Sequence, residues 1–436
     1  MSHYQNPDVD GVHMHLENKK VGKYFFWFLW IMYVAVYMTK YCFSSAMAPI
    51  VESGILTKSQ TGFIGAAFHM VYAPLQIVGG MFADRYNPER MIKIGLFGSA
   101  ITNLVIFFNQ NYYVMLGMWV LNAIFQFALW PSVFKIMASQ LPRSEKPKYI
   151  FIMSLSTASG LLLSYIVAGL LPYWQLNFAV SSIVSFVLLV SMIVICNKVD
   201  RFMLPDREVL LENIKVQDNR GYSMTKLALQ SGLALMVLVA FIRSMIGQGS
   251  KTMAPTMLME SYENISASIG NLLNVIIILS GIAGTLVTKF ILYPRIIKNE
   301  IAGALILFVI TIPLCVVLCL VGTVPSWIII AAMSGISFCT TSMVLFVSYY
   351  NASFAVFGKD GTVAGLSNCA ASAALIVQTY GFSAIADGYG WMTVNRIWVI
   401  LSILATLLMV MALPIYIKFK NKHKNLYEKN KKEEGK

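Results

Sequence analysis

Residues 80–90 read GMFADRYNPER, a charged turn that separates two long apolar runs. The run before the turn covers about residues 60–83, and the run after it covers about residues 91–109. A helix needs about 20 apolar residues to cross the roughly 30 Å hydrocarbon core of a bilayer. This stretch therefore predicts two transmembrane helices joined by a short polar loop.

The polar residues of this loop indicate a mechanical role. Gly80 permits close packing of neighbouring helices, and Asp84 can face the N-terminus of a helix, where negative charge is favoured. Arg85 and Arg90 can bridge to acidic side chains or to the C-termini of helices. Such contacts can hold one face of a helical bundle shut and break when the opposite face closes. We therefore predict that Gly80, Asp84, Arg85 and Arg90 take part in gating.

Apolar runs alternate with charged breaks along the whole 436-residue chain, which is 57% hydrophobic and only 12% charged. Soluble domains carry about 25% charged residues. Because lipid offers no hydrogen-bond partners to the backbone, and because the runs are continuous and not alternating, we predict helices and not strands. An all-α membrane protein follows, with about twelve spans at roughly residues 24–50, 60–83, 91–109, 113–139, 149–171, 176–196, 227–250, 267–290, 301–322, 326–355, 363–386 and 393–417.

The longest break, 197–226, divides the chain into two halves of six spans each. The stretch 158–162 (ASGLL) resembles 371–375 (ASAAL), and each lies in the fifth span of its half. Two such halves are typical of transporters that bind their solute near the bilayer midplane, between halves related by a pseudo-two-fold axis. The predicted order is a cytoplasmic tail at 1–23, six helices at 24–196, a cytoplasmic loop at 197–226, six helices at 227–419 and a basic cytoplasmic tail at 420–436.

The basic residues predict the orientation, because cytoplasmic loops carry an excess of Lys and Arg. With both termini in the cytoplasm, that side holds 27 of the 33 Lys and Arg. The outer loops then hold Lys58, Lys251 and Arg396, and the spans hold Lys40, Lys135 and Arg243. We expect a multi-pass protein of the cell membrane. Its net charge of +13 is a topology signal, compatible with contact to the lipid bilayer, and does not indicate nucleic acid.

No catalytic constellation is visible in the sequence. There is no nucleophile–base arrangement, no phosphate-cradling Gly loop and no metal-ligand spacing. All six cysteines fall in apolar stretches, and we interpret them as small packing residues. We therefore expect no enzyme, no catalytic residue, no metal and no cofactor, and we expect a monomer.

Four stretches carry a resemblance to a known family. The loop 80–90 is similar to the G-x-x-x-D-R signature of the major facilitator superfamily. Residues 84–88 (DRYNP), 125–131 (FQFALWP), 37–43 (YMTKYCF) and 361–365 (GTVAG) resemble its organophosphate:phosphate antiporter family, which includes the glycerol-3-phosphate and hexose-6-phosphate transporters. The resemblance implies a permease that exchanges an organophosphate or sugar phosphate for inorganic phosphate by alternating access. It also implies that Lys40 stands where the family binds substrate phosphate with arginine.

Two cations within the predicted spans form the candidate solute site. Lys40 lies about 15–20 Å along the first helix from the interfacial Trp27 and Trp30, and Tyr33 and Tyr37 share its face. Arg243 lies in the seventh span, the counterpart of the first. Charges at this depth are costly and usually functional, so we predict that the two cations clamp a small anionic solute. The alternative is that either cation snorkels or pairs structurally.

The chain departs from the family pattern at three positions. The family's arginine in the first span is Lys40, its second-span lysine aligns with Gln76, and its seventh-span arginine falls on Gly247. The site is then less cationic, and a monoanion becomes credible. Polar residues that could shape the cavity, or make helix–helix hydrogen bonds instead, include Gln76, Gln126 and Tyr349.

The coupling mode leaves three alternatives. The spans hold almost no carboxylate near midplane, which favours anion exchange. A proton-coupled transporter of a carboxylate, sugar or drug is the second alternative, with His69 as a possible proton carrier. A membrane sensor that keeps the transporter fold but signals is the third.

Overall fold

The computed structural model describes the backbone of residues 13–16, 19–141, 146–199, 203–206, 224–296, 299–357 and 359–426. Within these ranges the chain is almost wholly helical, which confirms the predicted fold class. The first half contains α1 (Lys19–Glu52), α2 (Lys58–Arg85), α3 (Pro88–Phe108), α4 (Tyr112–Gln126), α5 (Leu129–Gln140), α6 (Lys146–Ser154), α7 (Ser156–Leu170) and α8 (Gln175–Val199). The second half contains α9 (Met224–Ser231), α10 (Leu233–Thr252), α11 (Ala254–Ser261), α12 (Ala267–Val287), α13 (Glu300–Leu318), α14 (Ser326–Ala352), α15 (Asp360–Ile376), α16 (Phe382–Tyr389) and α17 (Trp391–Lys422).

Shorter helical segments extend three of these helices. A π-helix, Thr288–Ile296, continues α12, a 3₁₀ segment, Ser353–Phe357, follows α14, and a second π-helix, Val377–Gly381, joins α15 to α16. In the described part of the chain, ten helical stretches are long and apolar enough to cross a membrane, and Ser156–Leu170 is a shorter apolar helix. Helix α2 has 28 residues, so it is also long enough, at about 42 Å.

Side-chain caps fix where several helices begin. The Asn87 Oδ1 atom accepts from the amides of Glu89 and Arg90, and Pro88 then occupies the first position of α3. Asn111, Ser266 and Asn299 cap α4, α12 and α13 in the same way. These residues satisfy amides that have no partner inside the helix, so the loops between spans end at defined points.

Two of the predicted spans are interrupted. The fourth breaks between α4 and α5, because Pro131 lacks an amide proton and its ring crowds the carbonyl one turn earlier. The fifth breaks at Leu155, where the Ser156 hydroxyl donates to the carbonyl oxygen of Met153 at 2.5 Å and competes with the backbone pattern. The predicted helices are present, but each consists of two shorter ones.

The strands of the described backbone form one short ribbon. Strand β1 (His13–Leu16) pairs antiparallel with β2 (Met203–Asp206), so that His13 lies opposite Asp206 and Leu16 opposite Met203. The ribbon joins a segment of the predicted N-terminal tail to a segment of the predicted central loop.

The chain forms two compact units. Unit 1 comprises Met1–Leu56 and Phe63–Val216. In it, α1 packs on α7 and α8, and α3 packs on α4, α5 and α8. Its buried apolar residues form two clusters, one around Phe26 and Met192 and the other around Phe43 and Trp119.

Unit 2 comprises Thr57–Gly62 and Gln217–Lys436, so it includes the first turn of α2. In that turn the Lys58 Nζ atom lies 2.8 Å from Glu260 Oε2, and the Ser59 amide donates to Asp387 Oδ2 at 3.3 Å. Helix α14 packs on α12 and α13, and α10 packs on α14, α15 and α17. One buried apolar cluster runs through these helices.

The contact between α1 and α7 depends on a glycine. A Cβ atom at Gly160 would overlap the side chain of Tyr37 and would lie 2.5 Å from the carbonyl oxygen of Val34. The Gly160→Ala variant should therefore be destabilised by about 1–3 kcal/mol, the usual cost of overpacking. Thermal unfolding of the detergent-purified protein measures this. The control is Gly117→Ala, because a Cβ at Gly117 meets no atom within 4 Å and alanine is favoured in helices. Equal unfolding temperatures for both variants would contradict the predicted packing.

Candidate functional site

Lys40 lies on α1 among aromatic rings of unit 1. Its Nζ atom is 3.7 Å from the ring centroid of Tyr72, 5.3 Å from that of Tyr37 and 5.6 Å from that of Phe68. A cation within about 6 Å of an aromatic face is attracted by the electron density of the ring. Residues from α1 and α2 therefore hold the ammonium group, but they do so without neutralising its charge.

Three of the described acidic side chains are paired with other cations. Glu260 pairs with Lys58 at 2.8 Å, Glu89 with Lys93 at 3.6 Å, and Glu300 with Lys420 at 2.9 Å. Among the described side chains, no carboxylate forms an ion pair with Lys40 or Arg243. These two residues therefore carry positive charge that the described part of the protein does not balance.

The predicted tyrosines extend the aromatic surface next to Lys40. The rings of Tyr33 and Tyr37 meet edge to face at 5.1 Å, and Tyr37 contacts Tyr41 at 6.0 Å. Tyr33 is only 2% exposed and packs against Trp130 at 5.1 Å. Tyr37 thus lies beside the ammonium group of Lys40, whereas Tyr33 packs against the ring of Tyr37.

Arg243 lies on α10 of unit 2 and is half-buried. Its Nη2 atom donates to Ser244 Oγ at 2.9 Å, and its Nη1 atom lies 3.5 Å from the carbonyl oxygen of Thr340 on α14. Its Nε atom is buried and has no hydrogen-bond partner in the described structure. Neutral oxygens hold the guanidinium group, and part of its donor capacity is unused.

Lys251 corrects one of the sequence predictions, because it does not lie in an outer loop. It belongs to the last turn of α10, is 9% exposed, and donates from Nζ to Thr341 Oγ1 at 2.8 Å. The helical backbone continues through Met253, and Pro255 sits in the first turn of α11, where proline is tolerated. The predicted span 227–250 ended too early for this reason.

Gly247 lies midway between these two cations on α10. A Cβ atom there would be 2.7 Å from Thr340 Oγ1, so the absence of a side chain lets α14 approach. Because residues four apart share one helix face, Arg243, Gly247 and Lys251 all face α14. At the position that the family resemblance aligned with an arginine, this chain has a glycine with a cation one turn to either side.

The other predicted site residues lie apart from the cations or make structural contacts. Gln126 is 2% exposed, and its Nε2 atom donates to Ser99 Oγ and Asn122 Oδ1, both at 3.1 Å. Tyr349 stacks on Tyr293 at 4.0 Å, about 13 Å along α14 from Thr340.

Five predicted residues lie in the C-terminal part of α2 or in the first turn of α3. Arg90 is exposed in the first turn of α3. The side chains of Gln76, Gly80, Asp84 and Arg85 lie outside the described part, although their backbone is helical in α2. Their predicted roles stay predictions, as does the clamp formed jointly by Lys40 and Arg243.

Sequence reasoning missed Phe68, Tyr72 and Lys251. Phe68 and Tyr72 are one turn apart on α2. The signal for them was therefore two aromatic residues spaced four apart in a largely apolar span. For Lys251 the signal was its spacing of eight residues from Arg243, which places the two on one helix face.

The contact between Lys40 and Tyr72 can be measured by a double-mutant cycle. Replacing Tyr72 with Leu removes the ring face nearest the ammonium group, and a partly desolvated cation–π contact contributes about 1–2 kcal/mol. We expect Tyr72→Leu to destabilise the protein more in the wild type than in a Lys40→Met background. The difference in unfolding free energy should be about 1–2 kcal/mol. Strictly additive effects would show that the ring does not hold the cation.

Comparisons with curated proteins match parts of the chain. It is 30% identical over 118 residues to the membrane sensor protein UhpC of Salmonella typhimurium, covering 27% of each chain. It is 28% identical over 155 residues to a probable hexose phosphate transport protein of Chlamydia pneumoniae, covering 35% of this chain and 34% of that one. It is 25% identical over 168 residues to the glycerol-3-phosphate transporter of Bacillus subtilis, covering 37% and 38%. The matches thus span about a quarter to two fifths of these relatives.

Solved structures match nearly the whole fold. A bacterial homolog of the human lysosomal transporter Spinster, in an inward-facing and occupied conformation, superposes with a TM-score of 0.71 at 14% identity, covering 91% of this chain and 97% of that one. A D-xylose-proton symporter gives a TM-score of 0.67 at 14% identity, covering 88% and 97%. The sequence model of the Major Facilitator Superfamily matches residues 29–379, most of the helical region. With this match and the helical architecture together, the chain belongs to the Major Facilitator Superfamily.

Proposed function

We propose that this protein is a secondary transporter of a small organic anion and that Lys40 and Arg243 bind the anion. The observation that carries the proposal is the absence of a carboxylate partner for either cation among the described side chains. Unbalanced charge in a membrane-spanning helix is costly, and a bound anion would supply the missing counter-charge. The site needs no cofactor for this task.

The relatives support an organophosphate or sugar phosphate as the solute. Two of them are named as carriers of hexose phosphate and glycerol 3-phosphate. The aromatic faces of Tyr37 and Tyr72 beside Lys40 would contact the organic part of such a solute while the cation binds its charged end. We propose inorganic phosphate as the counter-substrate, because it competes for the same cations.

We also propose a membrane topology and a set of gating residues. Both termini lie in the cytoplasm, the protein acts as a monomer in the cell membrane, and residues 197–226 connect two six-helix halves. Gly80, Asp84 and Arg85 at the end of α2 and Arg90 in the first turn of α3 form the gating group.

Neutralising either cation should weaken anion binding strongly while the protein stays folded. A hydrogen bond to a charged group contributes about 1.5–3 kcal/mol, so Lys40→Gln and Arg243→Gln should each weaken binding by roughly ten- to a hundredfold. Titration of the purified protein with sugar phosphates measures the dissociation constant. Lys93→Gln and Arg295→Gln are matched controls on surface cations of units 1 and 2. Normal binding by both Lys40→Gln and Arg243→Gln would refute the proposed site.

Exchange can be separated from proton coupling in vesicles. Proteoliposomes preloaded with inorganic phosphate should take up labelled sugar phosphate without a pH gradient, because one anion replaces another at the same cations. Uptake should fall to background in empty vesicles. Uptake that requires a pH gradient and not internal phosphate would instead support the proton-coupled transporter.

A membrane sensor is the second candidate function. Its specific support is the 30% identity to a relative that is named a membrane sensor. In the same vesicles, a sensor would bind the sugar phosphate tightly but show no counterflow. Flux in the wild type and its loss in Arg243→Gln would exclude this alternative.

A further inference from the structure

We propose that Lys251 is a solute-binding residue, and that Lys251 and Arg243 form a two-cation site in unit 2 that selects a doubly charged anion such as a phosphate monoester. This inference rests on the proposed function and deepens it, because it names the charge state of the solute. The departures of the sequence from its family pointed to a less cationic site and hence to a monoanion. The position of Lys251 inside α10 reverses that expectation.

The end groups of the two cations converge on one turn of α14. The Arg243 Nη1 atom lies 3.5 Å from the carbonyl oxygen of Thr340, and the Lys251 Nζ atom lies 2.8 Å from Thr341 Oγ1. Their backbone positions are eight residues apart, which is about 12 Å along α10. Neighbouring residues of α14 receive both end groups, so the two side chains extend toward the same turn of that helix.

Several N–H donors of the two cations have no acceptor among the described residues. A lysine ammonium group has three donors, and Lys251 uses one of them on Thr341. A guanidinium group has five donors; Arg243 uses one on Thr340 and one on Ser244, and its buried Nε atom has no partner. A phosphate group offers three strong acceptor oxygens, so these two side chains have enough donors to bind all of them.

A purely structural role does not account for this arrangement. Thr341 is a neutral acceptor, and no described carboxylate pairs with either cation. Two like charges in a buried setting repel each other and lose hydration, which a neutral side chain of similar length would avoid. A bound anion would attract both cations and so offset both their mutual repulsion and their lost hydration.

The backbone around Lys251 is held in place, as a binding site requires. The Asn274 side chain on α12 donates from Nδ2 to the carbonyl oxygen of Lys251 at 2.6 Å. The next residue, Thr252, accepts from Gln378 Nε2 at 3.0 Å. Contacts from two further helices therefore fix the end of α10, so the ammonium group starts from a defined position and needs little reorganisation to bind an anion.

The proposed charge selectivity can be tested with two ligands that differ by one charge. Glucose 6-phosphate carries a charge of about −1.5 to −2 near neutral pH, and its methyl diester carries one negative charge. Calorimetric titration of the full-length protein in nanodiscs at pH 7.5 gives the affinity for each. We expect the wild type to prefer the monoester at least about tenfold, because the second charge meets a second cation. Lys251→Gln should lose this preference, with monoester affinity falling at least about tenfold and diester affinity by less than about threefold.

Matched variants separate a binding role from a structural one. Lys251→Arg keeps the charge and should retain the preference for the monoester. Arg295→Gln removes an exposed cation of unit 2 and should change neither affinity. Thr341→Val removes the hydrogen bond of Lys251 without removing its charge, so the preference should persist. A Thr341→Val variant that loses the preference as fully as Lys251→Gln would show that the bond, and not the charge, matters, and would overturn the proposal.

The outcomes distinguish this inference from the proposed function. An unchanged preference in Lys251→Gln, with binding lost in Arg243→Gln, would overturn the role of Lys251 and leave the anion site standing. Binding of neither ligand by the wild type would overturn both. If Lys251→Gln does not fold, the wild type and Lys251→Arg decide, because equal affinity for the two ligands in the wild type overturns the charge selectivity.

Discussion

Positive charge held in apolar helices without a balancing carboxylate is the constraint on which the rest of the structure depends. Helices that cross a membrane satisfy their own backbone hydrogen bonds, but they cannot hydrate a lysine or arginine at bilayer depth. Three of the described acids, Glu89, Glu260 and Glu300, pair with lysines near helix ends, and none of these ion pairs involves the cations of α1 and α10. The described part of the protein therefore stabilises these charges with neutral groups.

The two units meet this constraint with different chemistry. Unit 1 surrounds Lys40 with ring faces, which attract a cation without donating or accepting a proton. Unit 2 places Arg243 and Lys251 against threonine oxygens of α14, which accept hydrogen bonds but carry no charge. Both solutions keep the positive potential intact, whereas an ion pair would cancel it. The charges that limit the stability of these helices are thus the same ones that we propose to bind an anion.

The sequence predicted the helices, their order and the position of Lys40 and Arg243 within helices, because apolar runs and charge patterns depend only on local sequence. It did not predict Tyr72 and Phe68 beside Lys40, since their approach depends on how α2 packs against α1. Lys251 was misplaced for a different reason. A proline three to four residues ahead usually marks the end of a helix, yet here Pro255 starts α11 in direct continuation of α10, and the lysine is carried into the buried region.

Gly247 connects these observations. A single arginine at that position would place the charge in one planar guanidinium group, which binds one carboxylate or phosphate in a fixed bidentate geometry. A glycine there cannot bind an anion, but it brings α14 within contact of α10, so the cations one turn before and one turn after reach adjacent threonines. The positive charge is thereby divided between a planar guanidinium group and a compact ammonium group. A site divided in this way would accept anions of different shape and distinguish them by charge, as the proposed exchange of an organic phosphate for inorganic phosphate requires.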